Sequence, residues 1–397
     1  MSHATLSAPP QRGLLPDLFP QLMAVAFTYL VSGASFATIP LFVSRELGQG
    51  ATVVGTLTGL SFLVAIATRL WAGGFADRKG PKPALILGVW LAVLSGLFAW
   101  AADIYQDSTR VAIWSLILSR VLLGSAEAIV VVAAQTWALA VAGPTRSAMA
   151  LGWVGSASFV TTAIGAPVGG ILYAAYGFEG VAIVMILIPV PIIAWLMRVP
   201  GASVEVGQSL VFLDVIRRIA IHCVTIGLVG VSYGTIVSFS VLLFEERGWT
   251  PPWMGLTLFS VALVAIRIFA GSVPDRFGAG RTAVWSLVVQ FSGFALMAHS
   301  HSVAGAYVGA MLAGLGFALV YPSVASQALN RVPPRNRGAA MALFSAAVNL
   351  VLGIGGPFMG ILAEHRGTGA VFYLAAVAAF LAGLIVLSGR TSAPYRG

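Results

Sequence analysis

Twelve stretches of this chain, each of about 18 apolar residues or more, are long enough to cross a bilayer as helices. They run approximately over residues 22–43, 52–74, 84–102, 111–134, 148–174, 181–198, 219–243, 253–273, 282–299, 303–329, 338–362 and 369–389. Hydrocarbon offers no water to satisfy a backbone N–H or C=O, so such runs fold as helices whose hydrogen bonds close within the segment. Composition agrees: only 9% of the residues are charged, against roughly 25% in soluble domains. The 45 glycines and 20 prolines fall inside apolar runs, where membrane helices tolerate both. The expected fold is an all-α polytopic membrane protein with twelve transmembrane helices.

The formal net charge is +9, yet the basic residues are scattered in short clusters between apolar runs. They form no single basic face, so no nucleic-acid partner is expected. Basic residues counted in alternate loops number fifteen on the side of the N-terminus and four on the other (Arg45, Arg110, Arg247 and Arg366), with three inside spans. The positive-inside rule then places both termini in the cytoplasm. Cys223 is the sole cysteine, which leaves neither an intrachain disulfide nor a thiolate metal cage. The polar stretch up to Pro20 lacks a small-residue cleavage site after a short apolar core. The first span is therefore expected to act as its own uncleaved insertion signal.

An internal repeat divides the chain. Residues 69–80 (RLWAGGFADRKG) match 267–278 (RIFAGSVPDRFG) at six of twelve positions, and residues 165–177 (GAPVGGILYAAYG) match 355–367 (GGPFMGILAEHRG) at six of thirteen. The two offsets, 198 and 190, are nearly equal, as a duplicated six-helix unit requires. The expected organisation is a tail (1–20), a six-helix bundle (21–199), a linker (200–218) and a second bundle (219–389). The bundles are related by a pseudo-twofold axis, and a tail (390–397) closes the chain.

Two ionisable residues sit deep in the fourth span. Arg120 lies about ten residues, roughly 15 Å, from the end of its run. Glu127 follows two turns later, close to the same face. A charge at that depth costs several kcal/mol unless paired or hydrated. An intramembrane carboxylate can bind and release a proton as its surroundings change between wet and dry. Glu127 is thus read as a proton-coupling or substrate group, the alternative being internal pairing. Arg120 is read as an anion ligand, a modulator of Glu127, or a structural contact to a carbonyl.

The loop Gly73-Gly74-Phe75-Ala76-Asp77-Arg78-Lys79-Gly80-Pro81-Lys82 resembles the G-x-x-x-D-R-x-G-R-K signature of the major facilitator superfamily, with Pro81 where a basic residue is usual. A degenerate copy carries Asp275 and Arg276. The run Leu116-x-x-x-Arg120-x-x-Leu123-Gly124-x-Ala126 is similar to the family's fourth-helix motif. Gly165-Ala166-Pro167-Val168-Gly169-Gly170 is similar to its antiporter motif, with proline one position late; Gly356-Pro357-Phe358-Met359-Gly360 has the usual spacing in the other half. The first span has Thr28, Tyr29, Ser32 and Ser35 where exporters of the family often carry an aspartate.

The resemblance implies a latch at Gly73, Asp77, Arg78, Gly80, Asp275 and Arg276 that joins the halves on the cytoplasmic side. The plainer reading of that loop is a topogenic basic turn with a helix cap. Gly73 is expected to let two helices approach closely, and Gly80 to turn with positive φ. A hinge is expected at Gly165, Pro167, Gly169, Gly170, Gly356, Pro357 and Gly360, where proline and glycine weaken a helix; close packing is the alternative. Transporters built from repeats bind substrate near the midplane between the halves. The expected lining residues are Tyr29, Ser32, Phe36 and Gln135 in the first half and Tyr233, Gln290, Tyr321, Gln327 and Asn349 in the second. Arg69 and Arg267, at equivalent ends of spans two and eight, are expected to snorkel to the inner interface.

The function these features predict is secondary active transport by alternating access, with proton-coupled efflux of a small organic molecule leading. An importer or facilitator of a small organic anion is the alternative, and a non-transporting membrane sensor the third reading. No phosphate-cradling G-x-x-x-x-G-K-[ST] or H-E-x-x-H sequence occurs, so neither ATP hydrolysis nor any enzyme activity is expected. The expected location is a bacterial inner membrane. No cofactor is expected beyond the proton gradient, the partners are lipid, substrate and protons, and the monomer is the expected working unit.

Overall fold

A computed structural model describes residues 14–201, 212–271, 273–333 and 336–389. Most of the expected linker and both tails, apart from residues 14–20, lie outside the described residues. The chain is helical: α1 (Leu14–Leu41, continued by a π-helical turn, Phe42–Glu46), α2 (Ala51–Lys79), α3 (Pro81–Ile104), α4 (Thr109–Leu187), α5 (Val190–Arg198), α6 (Phe212–Glu246), α7 (Met254–Ala270), α8 (Val273–Phe277), α9 (Ala279–His299), α10 (Val303–Leu329), α11 (Arg337–Arg366) and α12 (Thr368–Leu387).

Among the described residues ten helices are long and apolar enough to cross a membrane. One of them, Met149–Arg198, is turned at Gly177, and α7 is a shorter apolar helix. The element α4 is not one rod, because Gly143 (φ 67°) and Gly177 (φ 68°) break it into three legs. The glycines that close the two sequence repeats do the same work in both halves. Gly80 (φ 90°) and Gly278 (φ 87°) form one pair, Gly177 (φ 68°) and Gly367 (φ 81°) the other. A positive φ costs a side chain strain and costs glycine none, which ties these turns to the sequence.

Large apolar side chains such as Leu70, Phe269 and Trp285 face outward, as lipid-facing residues must. Several buried hydroxyls are satisfied within their own helices: Thr38 Oγ1 donates to Ala34 O at 2.9 Å, and Thr225 and Thr235 bond back one turn in the same way. With lipid as apolar as any core, close backbone approach holds the helices together. In the first half, Gly165 and Gly169 of α4 lie against Leu30 and Ala34 of α1 with no room for a Cβ. Between the halves, Gly55 and Gly59 of α2 meet Gly356 and Gly353 of α11, Gly360 meets Thr52, and Gly170 lies under the Trp253 ring. The backbone from 165 to 170 stays helical, so in this arrangement the expected hinge residues serve as packing surfaces.

The halves are joined at one end, here the Arg45 end. The Arg45 guanidinium there forms a two-point ion pair with Glu245 of α6. The Glu364 carboxylate of α11 accepts from the Thr52 backbone N–H at 2.9 Å, capping α2 from the opposite half. At the other end Asp77 is exposed and makes no hydrogen bond with any described residue, while Arg78 donates to Gly74 O of its own helix at 3.0 Å. Nothing comes within 4 Å of a Cβ built on Gly73, so the close helix approach expected there is not made. Arg276 is exposed, and the side chain of Asp275 lies outside the described set. The molecule is therefore closed at the Arg45 end, with the Asp77 loop unengaged.

Candidate functional site

The polar centre of the fold grows from three facing helix surfaces. On α4, Arg120 and Glu127 are seven residues apart and project the same way. On α1, Ser32 and Ser35 stand opposite them: Ser32 Oγ donates to the Glu127 carboxylate, and Arg120 Nη1 donates to Ser35 Oγ at 2.9 Å. On α2, Ser61 Oγ donates to the Arg120 carbonyl at 3.2 Å. Gly124 lies flat against the Ser61 backbone, and that close approach brings α2 into range.

Arg120 and Glu127 differ in accessibility. Arg120 is only 2% exposed, and its Nε and Nη2 have no partner among the described residues. Glu127 is half-buried and faces the space between the halves, within electrostatic reach of Arg120, Arg69, Tyr29 and, across the divide, Tyr233 of α6. Tyr233 stacks on Phe317 of α10 at 5.3 Å and lies 6.4 Å from Phe259 of α7. Tyr321 bonds Ser345 Oγ at 3.2 Å. The centre thus joins a carboxylate and two arginines of the first half to an aromatic wall of the second.

The other expected lining residues fall elsewhere. Phe36 is 6% exposed and stacks on Phe62, inside the first bundle. Gln290 is fully buried against Gly316, between α9 and α10 of its own half, with both amide atoms unpartnered among the described residues. Gln327 donates to Ser323 O of its own helix at 3.2 Å. Gln135 is half-buried two turns beyond Glu127, and Asn349 is buried with its Nδ2 unpartnered among the described residues.

Two residues that sequence reasoning sent to the interface turn inward. Arg69 has a buried Nε with no partner among the described residues and lies in electrostatic reach of Glu127 and Tyr29. Arg267 lays its guanidinium over the Phe159 ring of the other half, 4.1 Å from the centroid, and its Nε donates to Ala318 O at 3.4 Å. Snorkelling assumes that the nearest water lies along the helix; the space between the halves is nearer. A signal was present, since these arginines open the two copies of the repeat at matching positions.

A family model described as Major Facilitator Superfamily matches residues 22–250 and 221–396. An uncharacterized MFS-type transporter of Salmonella typhimurium, STM4428, is 32% identical over 369 residues, covering 93% of this chain and 95% of the relative. The uncharacterized MFS-type transporter YhhS of Escherichia coli is 30% identical, covering 91% and 88%. Among solved structures, a point mutant of the nucleoside transporter NupG aligns with a TM-score of 0.77 at 13% identity, over 94% of this chain and 99% of that one. A bacterial homolog of the human lysosomal transporter Spinster, in an inward-facing, unoccupied conformation, aligns at 0.75 and 15% identity, over 97% and 98%. At these identities the two structures speak for the fold alone.

Proposed function

The chain belongs to the Major Facilitator Superfamily and is a multi-pass membrane transporter, and from that premise we propose that it is a secondary active transporter working by alternating access, with Glu127 as its protonatable group. The observation that carries this is the position of Glu127. It is a single carboxylate deep in the fold, hydrogen-bonded by Ser32 and facing both halves at once. Such a group exchanges its proton with whichever side the space between the halves is open to.

In this reading the chain crosses the membrane twelve times as two six-helix bundles (21–199 and 219–389), with 200–218 as linker and both termini cytoplasmic. The Asp77 end is then cytoplasmic and the Arg45 end faces outward. The arrangement described is open to the cytoplasm. Opening outward breaks Arg45–Glu245, the Glu364 cap on Thr52 and the glycine contacts between α2 and α11, and brings the Asp77–Arg78 latch into use. The working unit is a monomer in a bacterial inner membrane, driven by the proton gradient without a cofactor.

Two directions of coupling fit this machine. Efflux by proton antiport draws on the likeness of residues 165–170 to the antiporter motif. Movement of a small organic anion is favoured by a specific observation: Arg69 and Arg120 lie within electrostatic reach of Glu127, the one interior carboxylate among the described residues, and Arg267 lies within reach of Tyr233, which Glu127 also reaches. Reconstitution into proteoliposomes tests the shared core. An imposed pH gradient changes substrate flux in wild type, and Glu127→Gln removes that dependence; unchanged coupling in the variant refutes the assignment.

A further inference from the structure

Resting on the transport reading, we propose that Arg69 and Arg267 form a two-sided clamp for the oxyanion group of a small organic carboxylate or phosphate, and that this anion binds together with the proton on Glu127. Three observations on opposite sides of the interface converge on it. Arg69 makes no hydrogen bond with any described residue and its Nε is buried. Among the described residues Arg267 is hydrogen-bonded through Nε alone, and Phe159 supports one face of its guanidinium from the other half. The two stand at matching positions of the internal repeat, so the pseudo-twofold axis presents one to each side of a shared space.

The charge balance argues for a mobile counter-ion. The other carboxylates of the described residues lie toward helix ends, so Arg69 and Arg120 share a single interior carboxylate, Glu127, and Arg267 has no carboxylate among its electrostatic neighbours. Arg120 is 2% exposed; its guanidinium is bonded to Ser35 of α1 and its carbonyl to Ser61 of α2, so it serves to hold α1, α2 and α4 in place. Arg69 and Arg267, both half-buried, keep N–H donors available. An uncompensated guanidinium at that depth is costly. Its planar fork of donors matches a carboxylate or phosphate in two-point geometry. Tyr29, Tyr233 and Tyr321 supply hydroxyls on either side, and the Phe259–Phe317 wall gives an apolar body something to lie on.

The sign of the coupling follows. Glu127 is faced by Arg120 of its own helix, Arg69 of α2, Ser32 and Tyr29 of α1, and Tyr233 of α6. As a carboxylate it partly neutralises the arginines and repels an incoming anion. Once protonated it does neither, so proton and anion favour one another and cross in the same direction.

The test is thermal unfolding of the purified full-length protein with acetate, benzoate, phosphate or phenyl phosphate, and with neutral benzamide as control, at pH 6 and pH 8. At least one oxyanion raises the wild-type melting temperature by about 2 °C or more, more at pH 6 than at pH 8, and benzamide does not. Arg69→Gln and Arg267→Gln each abolish the shift, while Arg69→Lys and Arg267→Lys, which keep the charge and control for misfolding, retain part of it. Glu127→Gln keeps the shift and loses its pH dependence. No shift from any of the four oxyanions, an equal shift from benzamide, or a shift that survives both glutamine variants overturns the clamp. The transport reading fails separately. Oxyanion binding without gradient-dependent flux in proteoliposomes overturns transport and leaves the clamp. Gradient-driven flux of a cationic dye such as ethidium, without oxyanion binding, does the reverse.

Discussion

Arg45 and Glu245, two hundred residues apart in sequence, meet in a two-point ion pair, Nε to Oε2 at 2.7 Å and Nη2 to Oε1 at 2.5 Å. The pair ties the end of α1 to the end of α6, hence one half to the other. Their side chains are 48% and 24% exposed, so solvent screens the attraction and the pair is worth only about 1 kcal/mol. A bond that weak suits the proposed clasp, which opens and closes as the halves alternate.

Removing either partner is therefore expected to be mild and reversible. Glu245→Gln and Arg45→Gln each lower stability by about 0.5–1 kcal/mol, and the double variant costs little more than either single one, giving a coupling near 1 kcal/mol. The charge swap Arg45→Glu with Glu245→Arg recovers most of the loss. Thermal unfolding of the four proteins measures the cycle; strict additivity rules out the pair as a clasp.

Glu127→Gln is expected to keep the fold, because an amide still accepts from Ser32, and to lose all dependence of flux on an imposed pH gradient. Cargo flux is expected to be accompanied by proton movement in the wild type and by none in the variant. A pH electrode outside loaded proteoliposomes reads the difference directly.

Arg120 behaves differently from the arginines of the clamp. Arg120→Ala empties a buried site and leaves Ser35 without its donor. It is expected to cost about 3 kcal/mol or more in stability, whatever cargo is supplied. Melting curves without ligand check this; a variant as stable as wild type that fails only with anions makes Arg120 a ligand instead.

The glycine contacts separate folding from cycling. Gly165 packs inside the first bundle, so Gly165→Val forces α1 away from α4 and lowers the yield of folded protein. Gly356 packs against Gly55 across the divide. Gly356→Val therefore leaves each bundle intact but stops the Arg45 end from closing. In a Cys223→Ser background, a reporter Thr52→Cys reacts faster with a membrane-impermeant maleimide once Gly356→Val is added. An unchanged rate contradicts the assignment.

Asp77→Asn is expected to leave the melting temperature of the protein unchanged within about 1 °C, since Asp77 has no partner in this arrangement. It is still expected to slow transport, because the proposed latch engages in the opposite arrangement. Flux in proteoliposomes, compared with the melting curve, distinguishes the two effects.

The sequence by itself determined the membrane-spanning helical class, the positive-φ turn at Gly80 and the matched segments whose closing glycines turn alike. Length and hydropathy set the runs, and Gly80, Gly177, Gly278 and Gly367 take backbone angles that side chains avoid. It also brought Glu127 and Ser32 forward as polar residues deep in their spans. What it did not reveal is which way most helix faces point. A soluble helix marks its buried side with a stripe of apolar residues, but in lipid both sides are apolar and the stripe vanishes. Gln290 accordingly turned out to face α10 of its own bundle, and Phe36 a neighbouring ring. Of the two arginines read along their helices as interface residues, Arg69 turns toward Glu127 and Tyr29, and Arg267 lies over Phe159 of the other half. The tertiary structure decided these orientations because the close glycine contacts fix how far each helix is rotated, and only the assembled halves provide a polar space between them.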